Sequence, residues 1–265
     1  MSDPDNDPSQ PILFQQERQR EIVTVTLAHG RAEVGDLADR FGVTTETIRR
    51  DLSDLQSRKL VRRVHGGAVP WETSGFEPLL SIRSKKNDEE KRRLAIAAVQ
   101  ELPTGGSVII DSGSTLTRFA RAIPGDQALR VVTNSLDVAT NLAEHDSIDV
   151  IVIGGKVRKN TLAMVDAAAV AAVQPLRVDT LFISTDAASP ESGLTTPYRD
   201  EAALKSAMIA AARRVVALVD HTKFGDDHFA RFARWSDIDV LLTNRELDPR
   251  TVEAIEATGT TVRLT

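Results

Sequence analysis

Apolar residues recur at helical spacing along the first part of the chain. Beyond Asn87 they gather instead into short runs separated by amphipathic stretches. Ile22, Val23, Thr26 and Leu27 mark one face of a first helix, which His29-Gly30 ends because glycine adopts positive φ at little steric cost. A second helix is predicted over Val34–Phe41, with Leu37, Ala38 and Phe41 on one side and a tight turn at Gly42-Val43. Thr44 caps a third helix carrying Ile48, Leu52 and Leu55. Leu60-Val61-Arg62-Arg63-Val64 alternates like a strand, and His65-Gly66-Gly67 turns back into Ala68-Val69 as a small hairpin. Residues 14–69 thus outline a winged helix-turn-helix domain.

Residues 1–13 hold Asp, Pro, Asn and Ser with little to bury and are expected to be a disordered tail. Residues 70–87, with Pro70, Gly75 and Pro78, are expected to be a linker. Over 88–265 strands are predicted at Ser107–Asp111, Leu129–Thr133, Val150–Ile153, Thr180–Ser184, Val215–Asp220, Val240–Thr243 and Thr261–Leu264. Helices fall between them, among them Glu89–Leu102, Leu136–Glu144, Glu201–Arg213 and Arg250–Thr258. That alternation implies a largely parallel sheet covered on both faces, and so an α/β class for the larger domain.

Composition narrows the setting. The 265 residues are long for one domain and comfortable for two. Cysteine is absent, which removes disulfides, thiolate zinc sites and thiol nucleophiles and fits a reducing cytoplasm. The acidic, proline-spaced start is unlike a signal peptide, and no run reaches the length of a membrane span. A net charge of -5 argues at first against nucleic acid. By segment the picture reverses: Arg49, Arg50, Arg58, Lys59, Arg62 and Arg63 face only Asp51 and Asp54 between Arg49 and His65.

Candidate chemistry follows from placement. Ile48, Leu52 and Leu55 take the buried face of the third helix, so several of Thr45, Thr47, Arg49 and Arg50 point outward from its first two turns, where a recognition helix meets bases. Thr44, Lys59, Arg62, Arg63 and His65 are placed for phosphate or the adjacent groove. On the residues alone, a solvated basic face and a DNA contact stand level. In the larger domain, strand after strand ends in polar or glycine residues: Asp111-Ser112-Gly113-Ser114-Thr115, Thr133-Asn134, Gly154-Gly155, Asp186, and Asp220 to Lys223. In a parallel sheet these ends share one edge, where open α/β folds take ligands. The turn at 112–115 suits a phosphate, Arg158 and Lys223 offer full positive charge, and Asp111, Asn134 and Asp186 suit sugar hydroxyls. Singly, each is an ordinary turn, cap or solvated charge; their convergence favours a binding site. His221 and His228 beside Asp226 and Asp227 lack metal-ligand spacing and read as a solvated loop, so no metal or cofactor is expected.

TIRRDL stands at 47–52 and HGGA at 65–68, with Leu37, Ala38, Phe41 and Val43 at helix-turn-helix positions. In these motifs the chain resembles the DeoR (GlpR-like) family of bacterial regulators. DSGST (111–115), TN (133–134), GG (154–155), GLTTP (193–197), Glu201-Ala202 with Lys205, and DHTKFG (220–225) carry the likeness through the larger domain. Lys59, Asp166 and Ala187 stand where the family commonly has glycine, and Ser114 where it commonly has threonine. The resemblance implies a winged helix-turn-helix joined to an effector domain similar to the ribose-5-phosphate isomerase fold. It implies operator DNA as partner, a phosphorylated sugar or polyol as effector, a homo-oligomer (dimer or tetramer), and repression relieved by the effector. A carboxylate at Asp166 near a phosphate would oppose an anion, so it either points away or marks a different effector. A sugar-phosphate isomerase with an appended DNA-binding domain is the competing reading, and a regulator answering to a protein partner is a third.

Overall fold

The computed structural model describes residues 14–29, 31–58, 60–64, 66–70, 80 and 87–265. The tail at 1–13, Gly30, Lys59, His65 and most of the expected linker lie outside the described residues. The chain divides into two compact units, a head ending at Pro78 and a body beginning at Leu79.

In the head, α1 (Gln15–His29), α2 (Val34–Phe41) and α3 (Thr45–Ser57) close over a three-stranded antiparallel sheet in the order β1 (Ala32–Glu33), β3 (Gly67–Pro70), β2 (Val61–Val64). Ile22, Leu37, Ala38, Ile48, Leu52, Leu55 and Val61 form its core. Each large side chain buried there contributes roughly 1.5–3 kcal/mol. Gly42 ends α2 at φ 61, its N–H donating to the carbonyls of Ala38 and Asp39, a left-handed cap that turns the chain into α3. Gly67 is required for a different reason: a Cβ there would meet the Ala32 carbonyl oxygen at 2.1 Å, so β1 and β3 could not close.

The body is a seven-stranded parallel sheet in the order β15 (Thr261–Leu264), β14 (Val240–Thr243), β12 (Ala212–Leu218), β9 (Val178–Ile183), β4 (Gly106–Ile110), β5 (Leu129–Thr133), β6 (Ile148–Val152). The carboxyl-side halves of the central strands, Val108–Ile110, Leu181–Ile183 and Val215–Leu218, are wholly apolar because both faces are covered. Val108, Ile110, Phe182, Val216 and Leu218 enter one core, while Ile109, Leu181, Ile183, Val215 and Ala217 enter the other. The helices are α4 (Asp88–Val99), α5 (Ser114–Ala122), α6 (Leu136–Leu142), α7 (Ala167–Val173), α8 (Arg199–Ala211) and α9 (Pro249–Glu256). Two small antiparallel additions complete it: the hairpin β7 (Val157–Arg158) and β8 (Ala163–Met164), and a three-stranded sheet of β10 (Ala187–Ser189), β11 (Gly193–Thr196) and β13 (Ala230–Ala233). The chain builds outward from β4 to β6 on one side, then returns to lay β9 against the other side of β4. The order therefore reverses between β4 and β9, and their carboxyl ends frame the crevice where such sheets bind ligands.

Candidate functional site

The head presents a polar helix face. Thr44 caps α3, its hydroxyl accepting from the Thr47 N–H at 3.2 Å, with the Thr47 hydroxyl 3.0 Å away. Arg49 and Arg50 are exposed and lie 3.6 and 3.9 Å from the Glu46 carboxylate, contacts weak enough to exchange for phosphate or base. Asp51, between them and the core, is buried and accepts from Arg18 at 2.7 Å and Gln19 at 3.0 Å, which fixes α3 against α1. In the wing Arg62 is exposed, and Arg63 donates to Ser53 at 2.7 Å while its N–H reaches Gln56 at 2.8 Å. Thr45 is exposed as well.

In the body a cavity of about 130 Å³ opens at the β4–β9 crevice. Its wall includes four residues singled out in one turn, Ser112, Gly113, Ser114 and Thr115, together with Asp186 and Lys223. Gly113 precedes α5 at φ 122, where a side chain would be strained, and no side chain caps the first turn of α5. Its leading N–H groups and positive helix end are thus left for an anion. Asp111 and Arg158 stand behind the wall: Asp111 binds Lys205 and Arg158 binds Glu201, both of which line the cavity. Arg158 also lies over the Tyr198 ring at 3.7 Å. Asn134, Gly154 and Gly155 are not in the wall, although Asn134 is buried with its side-chain amide oxygen Oδ1 unpartnered among the described residues.

The strand-end pattern did not single out Lys205 and Glu201 as site residues, since they project from α8, Glu201 from its first turn and Lys205 from its middle. The Lys205 ammonium is buried, donates to Asp111 and to the Ser184 carbonyl at 2.9 Å, and lies 3.7 Å from Glu201. Burial pushes its pKa down most strongly, but Asp111, Glu201 and Asp186 together outweigh that and hold it above the ordinary lysine value. Asn87, Lys91, Thr161, Asp220 and Thr222 complete another side of the cavity. Burial raises the Asp220 carboxyl, yet Thr222 donating to it, Lys223 and Lys91 nearby, and Asn87 leave it below its ordinary value. Thr161 is buried, and its hydroxyl has no partner among the described residues.

Asp166 is not in the wall of this cavity. Its carboxylate caps α7 through the Ala169 N–H at 2.9 Å and takes the Lys156 N–H at 3.0 Å, bonds that lower its pKa. Ala187 is buried in β10, where its carbonyl accepts from Thr185 at 2.8 Å. Among the described residues no group of three or more His, Asp or Glu could hold a metal ion, and no helix is long and apolar enough to cross a membrane.

Residues 18–73 match the DeoR-like helix-turn-helix domain and residues 86–245 the DeoR C terminal sensor domain. The chain belongs to the DeoR family of transcriptional regulators. Within that family it is 40% identical to the HTH-type transcriptional regulator GlpR of Haloferax volcanii, over 93% of this chain and 96% of the relative. It is 30% identical to the glycerol-3-phosphate regulon repressor of Escherichia coli, over 88% of this chain and 92% of the relative. Among solved structures, ribose 5 phosphate isomerase A of Neisseria gonorrhoeae is similar at 20% identity and a TM-score of 0.39, over 53% of this chain and 55% of that one. That likeness is too slight to bear on chemistry. The DeoR sensor domain match spans the β4–β9 crevice and the whole cavity wall.

Proposed function

We propose that this DeoR-family regulator represses a sugar or polyol operon and releases its operator when a phosphorylated sugar or polyol enters the β4–β9 cavity. The observation that carries the reading is the cavity's mixed polarity. An uncapped helix start with Lys91 and Lys223 suits a phosphate, while Asp186, Asp220 and Glu201 suit a chain of hydroxyls. Neither half alone would favour an anion carrying many hydroxyls; together they do. Thr44, Thr45, Thr47, Arg49, Arg50, Lys59, Arg62, Arg63 and His65 are assigned to operator contact, with Arg49 and Arg50 on bases and the wing on phosphate. Two half-sites on an operator call for at least a dimer. Effector and operator oppose each other because the effector binds the DNA-free state more tightly, and the coupling is reciprocal.

A mobility-shift assay on the DNA upstream of its own gene, challenged with sugar and polyol phosphates and their unphosphorylated forms, tests this. Release by one phosphorylated compound and not by its parent alcohol is expected. If no phosphate in the panel releases DNA or raises the body's melting temperature, the effector class is wrong. Turnover of the compound that releases DNA would favour the isomerase reading. Against that reading stands Lys205, which is held protonated between carboxylates and so is no free base.

A further inference from the structure

One edge of the body's sheet carries apolar surface left open among the described residues. β6 pairs with β5 alone, so its outer side bonds to no strand there. Around it, Leu136, Ile151, Val152, Val157 and Leu162 are 36% to 45% exposed. Ile151 and Val152 are successive strand residues and point to opposite faces of the sheet. A partner resting on one face covers only one of them, whereas a strand that continues the sheet covers both. Leu162 adopts φ 53, a left-handed conformation that a leucine side chain strains to hold. Its N–H bonds the Arg158 carbonyl at 2.8 Å and its own carbonyl takes the Leu136 N–H at 3.1 Å, so the exposed leucine is fixed against the start of α6.

Charge selects the occupant. Glu144 and Asp146 are exposed just before β6, and Lys156 and Lys159 are exposed just after it. None of the four is in an ion pair among the described residues. Laid antiparallel to itself, the edge sets the acidic end of one copy against the basic end of the other, twice, by symmetry. We propose that β6 joins a second copy of this chain, two β6 strands running antiparallel about a two-fold axis into one continuous sheet. This rests on the reading above that the regulator works as an oligomer, and names the surface that makes it one.

Sedimentation velocity of the full-length protein tests the interface. Ile151→Lys should halve the mass of the wild-type particle, since an exposed lysine on an edge strand blocks pairing without disturbing the core. Asp146→Lys alone and Lys156→Glu alone should each weaken association about tenfold, because the symmetric dimer gains two like-charge pairs in all. The double variant Asp146→Lys with Lys156→Glu should regain wild-type association, a rescue that a merely structural effect would not give. If wild type is oligomeric and all four variants keep its mass, the interface lies elsewhere and this proposal fails while the oligomeric reading stands. A wild type that stays monomeric even on operator DNA overturns both. Hydrogen exchange of the Val150 and Val152 amides, which face away from β5, separates the last rival. Protection that persists in diluted monomer would assign the edge to another segment of the same chain and sink the proposal.

Discussion

Replacing Lys205 by methionine removes one charge from a buried cluster and leaves its partners in place. Lys205 and Asp111 are 3% and 1% exposed at their side chains, and Glu201 is 9% exposed. Glu201 retains Arg158, but Asp111 loses the one ion-pair partner seen for it among the described residues. Breaking a buried pair from one side costs about 3–5 kcal/mol, because the remaining charge stays desolvated. For a body of this size that lowers the melting temperature by about 6–20 °C. Asp111→Asn should also destabilise, yet the double variant should lose less than the two singles added, by about 1–3 kcal/mol, since neither charge is then stranded. The assay is urea unfolding followed by fluorescence of Trp235, which is 2% exposed in the body, in a Trp71→Phe background. Because the folded pKa of Lys205 is raised, its stabilisation is present throughout the neutral range and is lost only as pH rises through that raised value. Single-variant losses that add to within about 0.5 kcal/mol would refute the argument that these two groups compensate each other.

Four further outcomes are expected. Arg49→Ala should weaken operator binding by roughly 5- to 150-fold while leaving the body's unfolding unchanged, and an unaltered footprint would count against α3 as the reading helix. Gly67→Ala should destabilise the head by about 1–3 kcal/mol or more, since its Cβ would collide with backbone at Ala32; a wild-type melting curve for the head would show that β1 and β3 part freely. Asp166→Gly should lower the body's stability through the lost cap on α7 yet leave sugar-phosphate affinity unchanged, as calorimetry would report. The lowered pKa of Asp220 makes its stabilisation complete above the ordinary aspartate value and lost as pH falls through the folded one. Urea midpoints taken from about pH 6 to pH 3 should therefore drop less steeply in Asp220→Asn than in wild type.

Much of this was legible from spacing because local rules and tertiary placement agree. Thr44, Ile48, Leu52 and Leu55 define α3 from cap to core, and the apolar runs of β4, β9 and β12 announce strands covered on both faces. The expected helix over Glu201–Arg213 in fact covers Arg199–Ala211, because β12 starts at Ala212 with no loop between them. Residues 187–196 gave no strand signal: β10 and β11 are three and four residues long, and all seven are buried, so no polar alternation marks them. Lys205 escaped the site for a related reason. A lysine within a helix reads as solvated, and only the packing of α8 beneath Asp111 makes it a buried counter-ion. The resemblance had already paired Glu201 with Lys205, without saying that the pair would wall a cavity.

Thr161 and Leu162 are consecutive, yet one walls the cavity and the other stands strained at the open edge of the sheet. If a second copy docks there as proposed, a ligand that shifts the hairpin to reach the Thr161 hydroxyl, which has no partner among the described residues, also moves the exposed Leu162 next to it. Small-molecule affinity then depends on protein concentration, and titrations at scarce and at abundant protein return different half-saturation points. A cell could tune the sensitivity of such a sensor simply by how many copies of it are made.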